Sequence, residues 1–150
     1  RTKKMTSIEP CREYETLRQI WLRSVTATHR FLQKEDLDFY YGRMLQEYLP
    51  NVEPYAIRNK CGDLCAFIGL GKDMIEMLFV HPDAMGQGYG SALLRFATEE
   101  KGLTKVDVNE QNIRALDFYR KHGFSVAGRS DTDGEGRPYP ILHLELTASI

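Results

Sequence analysis

The stretch from His81 to Leu94, HPDAMGQGYGSALL, places glycines at positions 86, 88 and 90 between an apolar run and an amphipathic run. A glycine has no Cβ, so a glycine-rich turn lets its backbone come close to a ligand. The amphipathic run predicts a helix, and the unpaired N–H groups and positive dipole at a helix start favour phosphate. The stretch therefore predicts a turn that binds phosphate groups through its backbone.

Common nucleotide-binding motifs fit this loop poorly. A P-loop ends in Gly-Lys-Ser/Thr so that the lysine reaches the phosphates, whereas this loop ends in Gly90-Ser91 without a lysine. The dinucleotide motif G-x-G-x-x-G requires glycine where Ser91 stands. Its turn also follows the strand directly, whereas residues 81–85 separate Val80 from the first glycine. Asp107, about 20 residues further on, does fit the ribose-binding carboxylate of that motif. A turn without any ligand leaves unexplained why destabilising glycines cluster at a helix start.

Composition predicts one globular domain over residues 1–150 that binds neither nucleic acid nor membranes. Hydrophobic residues make up 42% of the chain and charged residues 27%, as is typical of soluble globular proteins. The net charge of −1 gives no general attraction to polyanions, so a phosphate site has to be local. The first residues, RTKKMTSIEP, contain no apolar signal core, which predicts a cytoplasmic protein.

The cysteines indicate neither a disulfide framework nor a metal site. Only Cys11, Cys61 and Cys65 occur, and the pair at 61 and 65 has no second pair to complete a zinc site. The four histidines are scattered along the chain. We therefore expect no bound metal.

Periodicity predicts two helices at the start of the chain, then a three-stranded meander. The helical stripes comprise Leu17, Ile20, Trp21, Ser24 and Val25, and then Leu37, Tyr41, Met44, Leu45 and Tyr48, with Pro50 ending the second. Short β-rich segments follow at 55–59, 64–70 and 74–80, separated by glycine-containing turns. An edge strand is predicted near Met5 to Ile8.

The second half of the chain alternates helices and strands. A third helix carries Ala92, Leu93, Phe96 and Ala97 and stops at Gly102, and a strand follows at 105–108. A fourth helix, 112–122, has a glycine C-cap, and strands at 124–130 and 141–146 flank a polar loop, 131–140. The order β-α-α-β-β-β-α-β-α-β-β predicts a mixed sheet with helices on its faces, an α+β fold.

Two segments together carry a resemblance to a known family. LFVHPDAMGQGYGSALL (78–94) and VNEQNIRALDFYRKHGF (108–124) resemble the paired motifs of the Gcn5-related N-acetyltransferase (GNAT) superfamily. These motifs are a strand ending in Val-x-Pro, then R/Q-x-x-G-x-G/A, and later an asparagine with Phe-Tyr-x-x-x-Gly-Phe. The segment WLRSVTATHRFL (21–32) is similar to a bacterial branch of small acetyltransferases.

The resemblance implies a layered α/β/α fold, in which four helices flank a mostly antiparallel mixed sheet of six or seven strands with splayed central strands. It also implies direct transfer of an acetyl group from acetyl-CoA to a primary amine of a small molecule, peptide or protein lysine. A non-catalytic acyl-CoA sensor or partner module on the same fold is the alternative. We expect a monomer or a homodimer.

The resemblance assigns the cofactor residues. The strand from Leu78 to Val80 would pair with the pantetheine arm, and the N–H of Leu78 would polarise the thioester carbonyl. The amides of 86–91 would wrap the pyrophosphate, while Asn112 would bind pantetheine. The residues so implied are Leu78, Phe79, Val80, Met85, Gly86, Gln87, Gly88, Tyr89, Gly90, Ser91, Asn112 and Tyr119.

Met85 departs from the family pattern, which has Arg or Gln at this position. One polar or cationic contact to the pyrophosphate is therefore missing, and such an exposed contact contributes about 1 kcal/mol. We expect weaker binding of acetyl-CoA without loss of function.

Tyr119 is the candidate acid that protonates the leaving sulfur, although core packing beside Phe118 also accounts for it. For the base, Asp107 and Glu76 both lie on strands where a solvent-facing charge is equally ordinary, and an ordered water is a third possibility. The candidate acceptor-lining residues are Trp21, His29, Tyr139 and His143.

Structural explanations compete for three of these acceptor candidates. Trp21 lies on an apolar stripe and fits the core. His29 ends a helix, where a cation is favourable. His143 faces opposite to Leu142 and Leu144, so it is either exposed or directed at the acceptor.

Overall fold

The computed structural model describes residues 7–147 and contains the predicted elements in the predicted order. The first part of the chain forms β1 (Ile8–Pro10), α1 (Tyr14–Thr28), α2 (Lys34–Arg43), β2 (Glu53–Arg58), β3 (Leu64–Leu70), β4 (Ile75–Val80) and α3 (Tyr89–Arg95). The second part forms β5 (Lys105–Asn109), α4 (Ile113–Lys121), β6 (Phe124–Ser130) and β7 (Ile141–Leu146). The edge strand was predicted near Met5 to Ile8, but β1 shares only Ile8 with that range and Ser7 lies outside the strand. Met5 and Thr6 lie outside the described residues.

The chain divides into two compact units, the first ending at Gly102 and the second beginning at Leu103. The prediction of a single domain stays a prediction. In the described part of the chain, no helix combines the length and apolarity needed to cross a membrane.

The first unit is built around β3, which is buried from Cys65 to Leu70. β1, β2, β3 and β4 pair in sequence as an antiparallel sheet. The helices α1 and α3 both pack against β3, and a strand covered on both faces needs a continuous apolar sequence, as LCAFIGL provides. The largest fully buried side chains of this unit are Phe67, Leu17, Met44, Leu49, Ile57, Ile68, Ile75, Leu93 and Leu94.

Two helices end differently from the prediction. The second was expected to stay α-helical through Tyr48, but α2 ends at Arg43 and continues as a π-helical turn, Met44–Tyr48. The helix α3 likewise changes to a π-helical turn, Phe96–Glu100. A π turn adds a residue to the helical repeat and so changes which side chains face inward. Met44 is buried in the first of these turns.

The second unit is an antiparallel sheet in the order β5-β7-β6, with α4 packed against β6. Val106 and Val108 of β5, with Leu142 and Leu144 of β7, form its buried face. The alternating positions point the other way, as expected for strands. Asp107 therefore lies directly opposite His143 on the other face.

His29 corrects one expectation about α1. It caps the C-terminus through an N–H bond to the carbonyl of Val25 at 2.7 Å, and its ring packs at a tilt against Phe31, with the centroids 5.2 Å apart. Burial lowers the pKa of His29 to about 4, because a charged imidazole would lose its hydration there. The ring is therefore neutral at pH 7, and the favourable cation expected at this helix end is absent.

We predict that His29 makes the fold sensitive to acid. The unfolded chain takes up a proton at an ordinary histidine pKa of about 6.5, whereas folded His29 does so only near its pKa of about 4. Stability is therefore full above about pH 6.5 and decreases as the pH falls towards 4. In urea unfolding between pH 7 and 4, His29→Gln should lose less stability on acidification than the wild type. Equal pH slopes for the two proteins would contradict the assignment.

Candidate active site

The lead-in from β4 to the glycine loop is an ordered turn. The N–H of His81 donates to the carbonyl of Cys65 at 2.8 Å, which extends the β3–β4 pairing by one residue. The His81 Nδ1 accepts from the N–H of Asp83 at 3.0 Å, and residues Pro82–Ala84 form one turn of 3₁₀ helix. This turn accounts for the residues between the strand and the first glycine.

Two of the three loop glycines adopt a backbone that other residues avoid. Gly86 has φ 81° and Gly88 has φ 91°, both in the left-handed region. A Cβ at either position would have no heavy atom within 4 Å, so the requirement for glycine comes from φ, and the space above the loop is open. Gly88 caps the N-terminus of α3, whereas Gly90 lies within that helix.

The other loop residues are placed around this backbone. Met85 is half-buried and has an extended backbone. Its side chain carries no charge, so this position of the loop lacks the polar or cationic group that the family pattern has. Gln87 is exposed, and its Nε2 donates to the carbonyl of Asp83 at 3.3 Å. Tyr89 is buried and Ser91 half-buried. The loop therefore presents mainly backbone to solvent.

The half-buried residues Leu78, Phe79 and Val80 end β4, and Leu78 pairs opposite Ile68 of β3. Glu76 is exposed on the same strand. Its carboxylate fills the space that a Cβ on Gly71 would need, so this side chain lies against the turn between β3 and β4.

Tyr119 lies on α4, where its side chain is 6% exposed. Its ring packs edge-on against Phe118 and Phe124, with centroids 5.2 and 5.6 Å away. Burial raises the pKa of Tyr119 above its usual value because the phenolate would be poorly solvated. The hydroxyl therefore keeps its proton at neutral pH, the state that a proton donor requires.

Asn112 has a structural role that sequence reasoning missed. It is the N-cap of α4, and its side-chain oxygen accepts from the N–H of Ala115 at 3.2 Å. An asparagine directly before an amphipathic run is a common N-cap signal, which was visible in the sequence.

The structure brings Asp107 and His143 together and adds a residue that the sequence did not indicate. Asp107 Oδ1 lies 2.7 Å from His143 Nδ1, and His143 Nε2 lies 2.7 Å from the hydroxyl of Ser130. The three residues belong to the adjacent strands β5, β7 and β6. No local motif links positions so far apart in sequence.

The remaining acceptor candidates are mainly buried. Trp21 is 6% exposed in the core of the first unit, with its ring 6.4 Å from that of Tyr41. Tyr139 is 4% exposed in the loop before β7. The acceptor roles of Trp21, His29 and Tyr139 stay predictions. Among residues 7–147, no three His, Cys, Asp or Glu side chains are grouped so as to hold a metal ion.

Known proteins resemble the chain along nearly its whole length. A family model for the acetyltransferase (GNAT) domain matches residues 52–126. Peptidyl-lysine N-acetyltransferase YjaB of Salmonella typhimurium is 40% identical over 136 residues, covering 88% of this chain and 90% of that protein.

Solved structures confirm the predicted fold class. The solution structure of apo-form YjaB from Escherichia coli has a TM-score of 0.88 at 36% identity, covering 97% of this chain and 100% of that chain. The crystal structure of the PaiA N-acetyltransferase of Thermoplasma acidophilum in complex with coenzyme A has a TM-score of 0.72 at 21% identity, with coverages of 95% and 99%. The chain belongs to the GNAT superfamily and is an N-acetyltransferase that uses acetyl-CoA.

Proposed function

We propose that the protein transfers the acetyl group of acetyl-CoA to the side-chain amine of lysine in peptides or proteins. The observation that carries this proposal is its similarity to two bacterial relatives named peptidyl-lysine N-acetyltransferase. They are 40% and 38% identical to the chain, each over 88% of its length. Both relatives are named as enzymes, so a non-catalytic acyl-CoA sensor has no support from them.

The glycine loop is the proposed pyrophosphate site. Its open backbone at Gly86 and Gly88 lets amide N–H groups approach an anion without a side chain in between. Gln87 adds an exposed amide side chain beside them. Met85 adds no charge, so we expect the backbone to provide most of the binding.

The end of β4 is the proposed site for the thioester arm. We expect the backbone of Leu78, Phe79 and Val80 to bind pantetheine, with the N–H of Leu78 donating to the thioester oxygen as negative charge develops there. Asn112 is the proposed second contact to pantetheine. Because its oxygen caps α4, the side chain is held in a fixed orientation.

Tyr119 is the proposed acid. The amine attacks the thioester carbonyl, the C–S bond breaks, and the thiolate of coenzyme A takes the phenolic proton. The tyrosine hydroxyl is protonated at neutral pH, and its ring is held between Phe118 and Phe124, which fixes its orientation.

We also propose that the protein is cytoplasmic and that it is a monomer or a homodimer.

We predict that the purified protein acetylates a lysine peptide whose N-terminus is blocked. Mass spectrometry should find one added acetyl group on lysine and none on a matched peptide with arginine in its place. Tyr119→Phe should lower kcat about tenfold or more because the leaving thiolate loses its proton donor. Tyr55→Phe, which removes a half-buried hydroxyl from β2, is the matched control and should stay within about twofold of the wild type.

Acetylation of only small amines or peptide N-termini would overturn the lysine assignment. A Tyr119→Phe variant with wild-type kcat would overturn the acid role.

We also predict that Gly88→Ala weakens the binding of acetyl-CoA. A non-glycine residue at positive φ costs about 1–2 kcal/mol, and its Cβ would stand in the open space where the pyrophosphate is proposed to bind. The Kd from calorimetry should rise about tenfold, which corresponds to 1.4 kcal/mol. Gly62→Ala, in the turn between β2 and β3, is matched to it in φ (87°) and open surroundings. This control should lose stability and keep the Kd. Equal effects of the two variants on Kd would contradict the loop assignment.

A further inference from the structure

The chain of hydrogen bonds through Asp107, His143 and Ser130 is a feature that the proposed roles of Tyr119 and the glycine loop do not use. Asp107 and His143 form a direct cross-strand pair between β5 and β7. On β6, the register shifts between Val126 and Gly128, so that Gly128 is opposite His143. Ser130 then stands diagonally across from His143, within reach of its ring.

The bonds have a direction that follows from the chemistry of the groups. An ionised carboxylate only accepts, so the Nδ1 of His143 carries the proton and donates to Asp107. In the neutral ring, Nε2 is then the acceptor, and Ser130 donates its hydroxyl proton to it. The lone pairs of the Ser130 oxygen form the open end of the chain. This connectivity, carboxylate to Nδ1 and Nε2 to hydroxyl, is the one that activates a hydroxyl in enzymes.

The chain of bonds is accessible to a substrate. The side chains of His143 and Asp107 are 42% and 43% exposed, and Ser130 is half-buried. They lie on the face of the second unit's sheet opposite to Val106 and Leu144, which form its buried side. Polar groups on an exposed face are satisfied by water, so folding alone does not require all three to be bonded to one another.

The transfer reaction needs a group that removes a proton from the amine, and the carboxylates of Glu110, Asp131 and Glu76 are engaged by other groups. In the second unit, Glu110 and Asp131 both pair with Arg129, at 2.9 and 2.5 Å. In the first unit, Glu76 lies against the turn at Gly71. Asp107 itself has one oxygen bonded to His143. The imidazole is the commonest type of general base in proteins, and the Nε2 of His143 is directly bonded to the Ser130 hydroxyl.

We propose that Ser130, His143 and Asp107 form a proton relay that deprotonates the acceptor amine, an inference that rests on the proposed acetyl transfer. Before attack, the alkylammonium gives one proton to the Ser130 oxygen while the Ser130 proton passes to His143 Nε2, which leaves a neutral amine. The C–N bond then forms, and the nitrogen loses its second proton to solvent. Asp107 stays ionised and stabilises the resulting imidazolium as a positioning residue. The C–S bond breaks, the thiolate takes the Tyr119 proton, and solvent then returns a proton to Tyr119 and removes one from His143.

The test compares two acceptors that differ in their need for a base. One is the alkylamine that the wild type acetylates, which is the lysine peptide if the proposed function holds. The other is a peptide hydrazide, whose nitrogen is neutral at the assay pH. Ser130→Ala, His143→Gln and Asp107→Asn should each lower kcat/KM for the alkylamine about tenfold or more. For the hydrazide, we expect each variant to stay within about twofold of the wild type.

Controls separate a relay from a structural role. Ser130→Thr keeps the hydroxyl and should restore most of the activity that Ser130→Ala loses. His122→Gln removes the other imidazole of the second unit, which bonds to the carbonyl of Phe118, and should leave both acceptors unaffected. Calorimetry with acetyl-CoA verifies that each variant is folded.

Equal losses for both acceptors, or no loss for either, would overturn the relay. If the wild type acetylates small alkylamines and leaves lysine peptides unmodified, the lysine proposal fails, and the same comparison run on those amines still decides the relay.

Discussion

The burial of β3 on both faces is the constraint on which the first unit depends. Phe67 and Ile68 are fully buried, and removing such side chains from water contributes roughly 1.5–3 kcal/mol each. Because β4 pairs with β3 in unbroken register from Met77 to Val80, the position of β3 fixes where β4 ends. The bond from His81 to Cys65 carries that register one residue further, to the start of the glycine loop. The loop therefore follows a strand held in a defined register, which suits a site that binds through backbone groups.

In the second unit, the burial of one face of the sheet determines which side chains lie on the opposite, polar face. Its strands alternate, so Val106 and Val108 face the core while Asp107 between them faces outward. Antiparallel pairing then sets His143 beside Asp107, and a register shift on β6 brings Ser130 within reach. Hydrophobic alternation thus positions the polar chain, because a slip of one residue would turn every one of these side chains to the other face.

Much of the fold followed from the sequence because its periodicities are strong. The apolar run of β3, the alternation in β5 and β7 and the glycine after α4 each predict one structure, and the structure contains it. The π-helical turns after Arg43 and Arg95 were not predictable, since they depend on how the helix end packs. The neutral state of His29 depends likewise on burial, which the local sequence does not encode.

Residues of the candidate site could be predicted from the sequence where they belong to one continuous motif. The glycine loop and the segment containing Asn112 and Tyr119 are continuous motifs, so their residues could be assigned by resemblance. The bond between His143 and Asp107 spans 36 residues and that between His143 and Ser130 spans 13. Such contacts depend on strand order and register. A single sequence does not determine these closely enough to show which side chains become neighbours. Ser130 was missed for this reason.

We propose that the backbone of residues 86–91 holds the pyrophosphate of acetyl-CoA. A titration followed by amide NMR tests it directly, with coenzyme A as one ligand and pantetheine, which lacks the pyrophosphate, as the other. We expect the amide signals of Gly86, Gly88 and their neighbours to shift with coenzyme A and to stay in place with pantetheine. Signals that stay in place with both ligands, or that shift equally with both, would contradict it.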